Sequence, residues 1–380
     1  VSRARSRVVR VGDEHLPALA GFVRAVWDPA ASVEGLRAAR AADAAANPVA
    51  PGEPVPTFLF LRDDQAIGHL TTIPARVAAG GRVWPAYWLK GFWVLPEHRN
   101  GPVGFLLVKE AMRHLGCALA TAVEEAPRRV FCALGFRDLG ALGEYVRPLE
   151  PRRMLEHLDP EALGLAARPA LRRALALAQR PWGAAAGGAV LRAALGLWAA
   201  AAGRGGRQRG GPAAALDEPA CDALWRRASA ELAASPVRDA AYLRTRYAAQ
   251  LGDRFELVTA GTDGELSGLA LLRRPRAQGD PRLRGLRVAL LSDAVFPPSR
   301  PAAGRALLRA AEEAARACGA DALLCSASHP ALRACLLRRA YAPVPGRLHF
   351  LARAPEDVEL PDDLAAWWIT RADGNADEVF

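Results

Sequence analysis

Apolar and polar positions alternate with two different periods along this chain, and the changes of period divide it into elements. Residues 8–11 (Val-Val-Arg-Val) read as a strand. A helix capped by Asp13 and running to about Trp27 follows, then a second helix over 32–46. A proline-rich loop, 48–56, leads to a hairpin whose strands, 57–62 and 67–78, flank Asp63-Asp64. After Gly80-Gly81 and a β segment at 82–84 comes the most apolar run of this half, 87–95. Its aromatic and β-branched residues stop at Pro96. The pattern breaks around Gly101-Pro102 and resumes at helical spacing with Phe105, Leu106, Val108, Lys109 and Met112. An apolar strand over 118–123, a short helix over 127–134 and a last β segment over 136–146 complete this half.

The same order returns later. Helices are expected over 221–234 and 237–249, a hairpin over 255–260 and 266–273 around Thr262-Asp263-Gly264, and a central strand over 288–296. A proline-rich turn ending at Gly304 opens a helix that ends near Cys318. The strand 321–326, the helix 330–340 and the strand 347–352 follow. Setting Gly304 against Gly104 puts Ala302 against Pro102, Ser299 against Arg99 and Ala340-Tyr341 against Gly135-Phe136. One pattern therefore occurs twice. The expected fold class is α/β (α+β, mixed sheet) with two tandem units: 1–148, then an Ala/Arg-rich helical linker at 149–215, 216–355, and a C-terminal tail at 356–380.

A strand followed by a Gly/Pro-broken loop and a helix leaves unpaired backbone N–H groups at the helix start, and these suit a phosphate or pyrophosphate. Arg99-Asn100-Gly101-Pro102-Val103-Gly104 resembles the pyrophosphate loop of the GNAT N-acetyltransferase superfamily, Arg/Gln-x-x-Gly-x-Gly/Ala between a strand and a helix. Pro102 stands at the central glycine and supplies no N–H. Phe131-Cys132-Ala133-Leu134-Gly135-Phe136 resembles the superfamily's Tyr-x-x-x-Gly-Phe helix end, with Phe131 in place of the Tyr that protonates the leaving thiolate. The resemblance implies two tandem GNAT-like folds and acetyl-CoA or another acyl-CoA as cofactor. It also implies a cofactor site at Val94, Arg99, Asn100, Gly101, Val103, Gly104 and Phe105. The implied reaction is N-acyl transfer to an amine of a small molecule, an amino sugar or a peptide. Such transfer needs a group that removes the amine's proton. Glu124 and Glu125 are the candidates, and both also read as solvated carboxylates complementing a helix start. Asp293, inside the strand 288–296, either orients substrate or is bonded internally to an arginine. His329 reads as a neighbour of a helix cap.

Charge and cysteine narrow the classes further. The net charge of +10 comes almost wholly from arginine, since Lys90 and Lys109 are the only lysines. Residues 147–211 hold eleven arginines against four acids, which makes the linker a candidate peripheral contact for anionic lipid or, alternatively, a helix with a solvated arginine face. Arg192 in the middle of 182–203 argues against a bilayer span. The stretch 203–212 (Gly-Arg-Gly-Gly-Arg-Gln-Arg-Gly-Gly-Pro) reads as a flexible linker. Six cysteines without a Cys-x-x-Cys pair suggest buried free thiols in a reducing compartment, and the first residues show no apolar signal core, so a cytoplasmic protein is expected. No metal motif, Walker loop, Gly-x-Gly-x-x-Gly or Gly-x-Ser-x-Gly occurs. Two alternatives stay open. Tandem halves with a helical insertion also resemble the Fem-type aminoacyltransferases, which implies an aminoacyl-tRNA donor, and the eroded loops fit a catalytically silent binding module.

Overall fold

The computed structural model describes residues 6–157, 173, 176–177, 179–202, 208–262, 264–277 and 283–377. In chain order the first elements are β1 (Ser6–Arg10), α1 (Leu16–Val26), α2 (Val33–Ala45), β2 (Thr57–Arg62), β3 (Gln65–Ala79) and β4 (Arg82–Val94). Then come α3 (Val103–His114), β5 (Cys117–Thr121), α4 (Glu125–Ala133), β6 (Arg137–Ala141) and β7 (Gly143–Pro148). The middle of the chain holds α5 (Pro151–His157), α6 (Pro181–Ala202), β8 (Arg209–Ala213), α7 (Glu218–Ser229), β9 (Ala234–Pro236) and α8 (Ala240–Tyr247). The rest is β10 (Phe255–Thr262), β11 (Glu265–Ala277), β12 (Arg287–Val295), α9 (Pro301–Ala317), β13 (Ala322–Ala327), α10 (Pro330–Arg338), β14 (Ala342–Val344) and β15 (His349–Arg353). Local chemistry accounts for several boundaries. Asp63 and Asp64 both take positive φ, as the tight turn between β2 and β3 requires. Ser32 caps α2 by accepting from the Gly35 N–H at 3.0 Å, and Asp217 and Asp239 cap α7 and α8 in the same way. Asp13 instead opens a 3-10 turn, and α1 begins only at Leu16.

The chain forms two compact units. Among the described residues the first comprises 6–141 and 348–363. Its sheet runs β1-β2-β3-β4-β5-β15-β6, antiparallel except for the parallel pair β4–β5. The period of two in β2 is used on both faces. Leu59 and Leu61 pack with Leu16, Leu19 and Phe22 of α1, while Phe58 and Phe60 pack with Leu107, Val108 and Ala111 of α3.

The second unit comprises 142–347 and 364–377. Its sheet runs β14-β7-β13-β12-β11-β10-β8, with β12–β13 as the parallel pair. Leu307 and Ala311 of α9 and Leu336 of α10 pack on Val258, Leu272, Leu291 and Leu323. Repetition of one architecture is thus visible in the sheets as well as in the sequence.

Four expectations change. The β segment read over 136–146 is two strands in different sheets: β6 stays in the first, whereas β7 pairs with β13 in the second. In return β15, read as the last strand of the second half, pairs with β5 and β6. Each sheet is therefore completed by a strand from the other half of the sequence. The third change is Arg209–Ala213, which is an edge strand on β10 and no part of a flexible linker, because Gly210 packs too tightly on α9 to accept a side chain; a Cβ there would lie 2.8 Å from the Ala306 carbonyl oxygen. Residues 203–207 and most of 158–178 of the expected linker lie outside the described residues. Fourth, 364–377 is no tail, since Trp367, Trp368 and Ile369 are buried in the second unit. Among the described residues all six cysteines are unbridged, and no helix is long and apolar enough to cross a membrane. Arg192 of α6 pairs with Glu150 at 2.9 Å.

Candidate functional site

A parallel pair that separates midway leaves one strand with unpaired backbone groups on that side. β4 and β5 pair only at Ala86–Cys117, Tyr87–Ala118 and Trp88–Leu119, after which β4 continues to Val94 paired with β3 alone. The β3–β4 register shifts between His69 and Thr71, and Gly91, within the resulting bulge in β4, has φ of 59°, where a side chain would be strained. Sequence patterning locates the strand; it does not locate the parting.

Past Val94 the chain makes a 3-10 turn, Pro96–His98, and enters α3. The Arg99 and Gly101 N–H groups are engaged inside this turn, on the Pro96 and His98 carbonyls at 3.3 and 3.2 Å. Gly101 therefore contributes backbone clearance and no donor. Pro102 occupies the N-cap and no side chain caps α3, so the N–H groups of Val103, Gly104 and Phe105 face outward from the helix start. Arg99 is exposed; its Nε donates to the Val94 carbonyl at 3.1 Å and its guanidinium lies 4.8 Å over the Trp93 ring, which leaves the Nη groups for an anion. Asn100 is exposed beside it. Gly104 is required by packing too, for a Cβ there would lie 2.9 Å from Cζ of Phe92. Phe92 in turn stacks toward Phe131, and Phe131 toward Phe136, at 5.4 and 5.3 Å between centroids. Phe131 is thus a buried core ring.

Glu124 and Glu125 sit at the start of α4, both exposed. Glu124 is the N-cap residue but caps nothing with its side chain, while Glu125 is ion-paired with Arg129 one turn on. Of the two, only Glu124 keeps its carboxylate clear of an ion pair among the described residues.

The second unit has the same two features, and the chain's own groups fill the gap between the parted strands. β12 and β13 pair from Val288–Ala322 to Leu291–Cys325 and then part. Into the gap runs 367–373. Trp368 Nε1 donates to the Ala294 carbonyl at 2.8 Å, the Ala372 N–H donates to Ser292 at 2.8 Å, and the Ser328 N–H donates to Ile369 at 3.2 Å. At the turn before α9, the Ser299 N–H and Oγ donate to the Glu231 carboxylate at 2.7 and 2.6 Å, and Arg300 binds Glu265 at 2.6 Å. A carboxylate of this chain thus holds the turn just ahead of α9, while no side chain caps the helix itself. Asp293 is bonded internally: Arg238 donates to it at 2.7 Å and to Asp373 at 2.6 Å, all three buried. Burial pushes the Asp373 carboxyl up to about 6. His329 is the N-cap of α10, its Nδ1 accepting from the Ala331 N–H at 3.2 Å.

His69 escapes sequence reasoning, because a lone histidine in a strand carries no periodic signal. It is 5% exposed, lies against Phe22 and Trp27, and its Nδ1 is 2.7 Å from the Gly91 carbonyl oxygen. A carbonyl can only accept, so Nδ1 carries the proton and Nε2 the lone pair. The ring thereby pins the bulge in β4. Burial lowers its pKa to about 4, so the folded protein takes up the histidine proton later than the unfolded chain does as pH falls. Stability is consequently lost as pH drops from about 6.5 toward 4, by roughly 3 kcal/mol at pH 4 from this residue. Urea unfolding of His69→Gln alongside the parent should show the parent losing that much more stability between pH 7 and pH 4. Parallel profiles would show that the ring titrates alike in both states.

No family model and no curated protein sequence matches the chain. Solved structures do. A GCN5-related N-acetyltransferase from Anabaena variabilis shares 11% sequence identity, with a TM-score of 0.54 over 92% of this chain and 72% of that one. A GCN5-related N-acetyltransferase from Kribbella flavida shares 13% identity, with a TM-score of 0.52 over 92% and 71%. N-myristoyltransferase from Saccharomyces cerevisiae with bound myristoyl-CoA shares 12% identity, with a TM-score of 0.54 over 91% and 78%. At such identities the likeness establishes the fold: two GNAT-type units in tandem.

Proposed function

We propose that this tandem GNAT-fold chain is an acyl-CoA-dependent N-acyltransferase whose donor site is the β4–α3 turn of the first unit. The observation that carries the reading is the contrast between the units. The first presents a parted parallel pair and a helix start that no side chain caps, whereas in the second residues 367–373 run into the gap between the parted strands and Glu231 holds the turn ahead of the helix. The myristoyl-CoA held by the N-myristoyltransferase neighbour supports an acyl-CoA donor, acetyl-CoA included. In this reading the N–H groups of Val103, Gly104 and Phe105 hold the pyrophosphate, with Arg99 adding charge and Asn100 and Gly101 bordering it. Backbone groups of β4 from Leu89 to Val94 pair the pantetheine arm on the side that β5 leaves. The acceptor is an amine of a small molecule, amino sugar or peptide. Its nitrogen attacks the thioester carbonyl carbon, the C–S bond breaks, and the amine's proton passes to Glu124 directly or through water. Phe131 has no hydroxyl, so the departing thiolate takes its proton from solvent.

Calorimetry with CoA tests the site. Arg99→Ala removes charge-assisted hydrogen bonds of about 1.5–3 kcal/mol, so affinity should fall at least about tenfold. Asn100→Asp sets a carboxylate beside the pyrophosphate and should weaken binding at least about fivefold, while a negative charge at a helix start leaves folding intact. Full affinity in both variants would remove CoA from this turn. CoA binding without acyl transfer to any amine tried would favour the silent module, which the missing phenol at Phe131 also favours. Binding of aminoacyl-tRNA in place of CoA would favour the Fem-type donor.

A further inference from the structure

The second unit contains a cleft of about 770 Å³ that the acyl-transfer reading does not use. Its walls come from the end of β7 and the turn after it, one face of α9, and the inner face of α6. Arg309, Glu312, Glu313 and Arg316 recur at three- and four-residue spacing, which lines them along that one face of α9. Two of the cleft's acids are already matched. Glu312 is buried and receives both Nε and Nη2 of Arg339 at 2.7 Å, and Glu150 receives Arg192 at 2.9 Å.

The remaining charges do not balance. Arg147 is 3% exposed, yet its Nε has no acceptor, and its Nη groups reach only the Ala340 and Leu195 carbonyls at 3.3 and 3.4 Å. The Glu312 carboxylate lies 3.9 Å from that Nε and is held by Arg339. Arg309 and Arg316 are exposed and have no carboxylate partner among the described residues. Against these three cations stands Glu313 alone. The excess is about two positive charges around a buried guanidinium that lacks an acceptor, and burying such a group is costly unless an anion answers it.

We propose that this cleft binds a phosphomonoester, with the phosphate between Arg147, Arg309 and Arg316. A phosphomonoester carries roughly −1.5 to −2 charges at pH 7, which matches the excess, and its oxygens suit guanidinium forks. The volume far exceeds a phosphate, and Pro148, Leu149 and Leu195 give the remaining space an apolar wall, so the phosphate is attached to an organic body. This site is independent of the acyl-CoA reading.

The test titrates the full chain with inorganic phosphate and with phenyl phosphate, by calorimetry at fixed ionic strength in sodium chloride. Both should bind, phenyl phosphate the more tightly. Arg309→Gln and Arg316→Gln are exposed changes that spare the core, and each should weaken binding about tenfold. Glu313→Gln should tighten it about threefold or more by removing a like charge. Vesicles of phosphatidylcholine containing phosphatidic acid separate a lipid source from a soluble one. Sedimentation with those vesicles, lost in the Arg309→Gln/Arg316→Gln double variant, would assign the same site to a lipid headgroup. The proposal is overturned if neither soluble probe nor vesicle binds, if binding survives the double variant, or if Glu313→Gln weakens it.

Discussion

Replacing Arg238 with methionine is expected to destabilise the second unit by about 3–5 kcal/mol at pH 7, the cost of removing one partner from a buried ion pair. Arg238 is 1% exposed and donates to Asp293, Asp373 and Ser235 Oγ, and to the Pro236 carbonyl. Methionine fills much of its volume without supplying a charge, so two buried carboxylates would lose the cation between them and keep neutral donors such as the Tyr242 and Thr370 hydroxyls. Asp373, whose carboxyl burial already pushes up, would then bind a proton more readily than in the parent. The penalty should therefore shrink as pH falls from 7 toward 5, the opposite of a packing defect, which is insensitive to pH. Urea unfolding at both pH values distinguishes the two. A loss below about 1 kcal/mol would mean that the ion pairs are not formed.

Trp368→Ala should cost a similar amount, about 3–5 kcal/mol, through a cavity and a lost hydrogen bond. The indole is 1% exposed, donates to the Ala294 carbonyl, and packs against Phe296 and His329 at 5.2 and 5.0 Å between centroids. Under conditions where the variant stays folded, its CoA affinity should equal that of the parent, because the indole belongs to the closed unit. Thermal or urea unfolding gives the first number and calorimetry the second. An unchanged unfolding midpoint would show that 367–373 is not seated between β12 and β13.

Hydrophobic periodicity was enough for the elements and for their repetition, since α3 and α9 each carry an unambiguous apolar face and β2 is a continuous apolar run buried on both sides. It could not assign β7 and β15 to their sheets. A strand's pattern states which residues are buried and is silent about which neighbour supplies the hydrogen bonds. The role of 364–377 had a visible signal in Trp367-Trp368-Ile369, an apolar run that is expensive to leave in water, yet 356–380 falls after the repeated pattern and reads as a tail. Asp293 was legible as a buried carboxylate needing a partner; that Arg238 answers it, together with Asp373, depends on residues 55 and 135 positions away from Arg238 in sequence. At the proposed donor site the loop could be read, but the engagement of the Gly101 amide and the contact of Gly104 with Phe92 could not. The first arises from the local geometry of the 3-10 turn and the second from tertiary packing. The Gly304 position is crowded in the same way by Phe296 and Cys335, so glycine replacements would confuse folding with binding in either unit. Arg99 and Asn100, both exposed, are free of that ambiguity.

Amide hydrogen exchange with and without saturating CoA is the sharpest test of a donor site at the β4–α3 turn, because it reports on the very N–H groups proposed to hold the pyrophosphate. New protection is expected across 100–106, with Val103, Gly104 and Phe105 slowed most, and no change across 297–304. Protection across 297–304 with none at 100–106 would contradict it, placing the donor in the second unit.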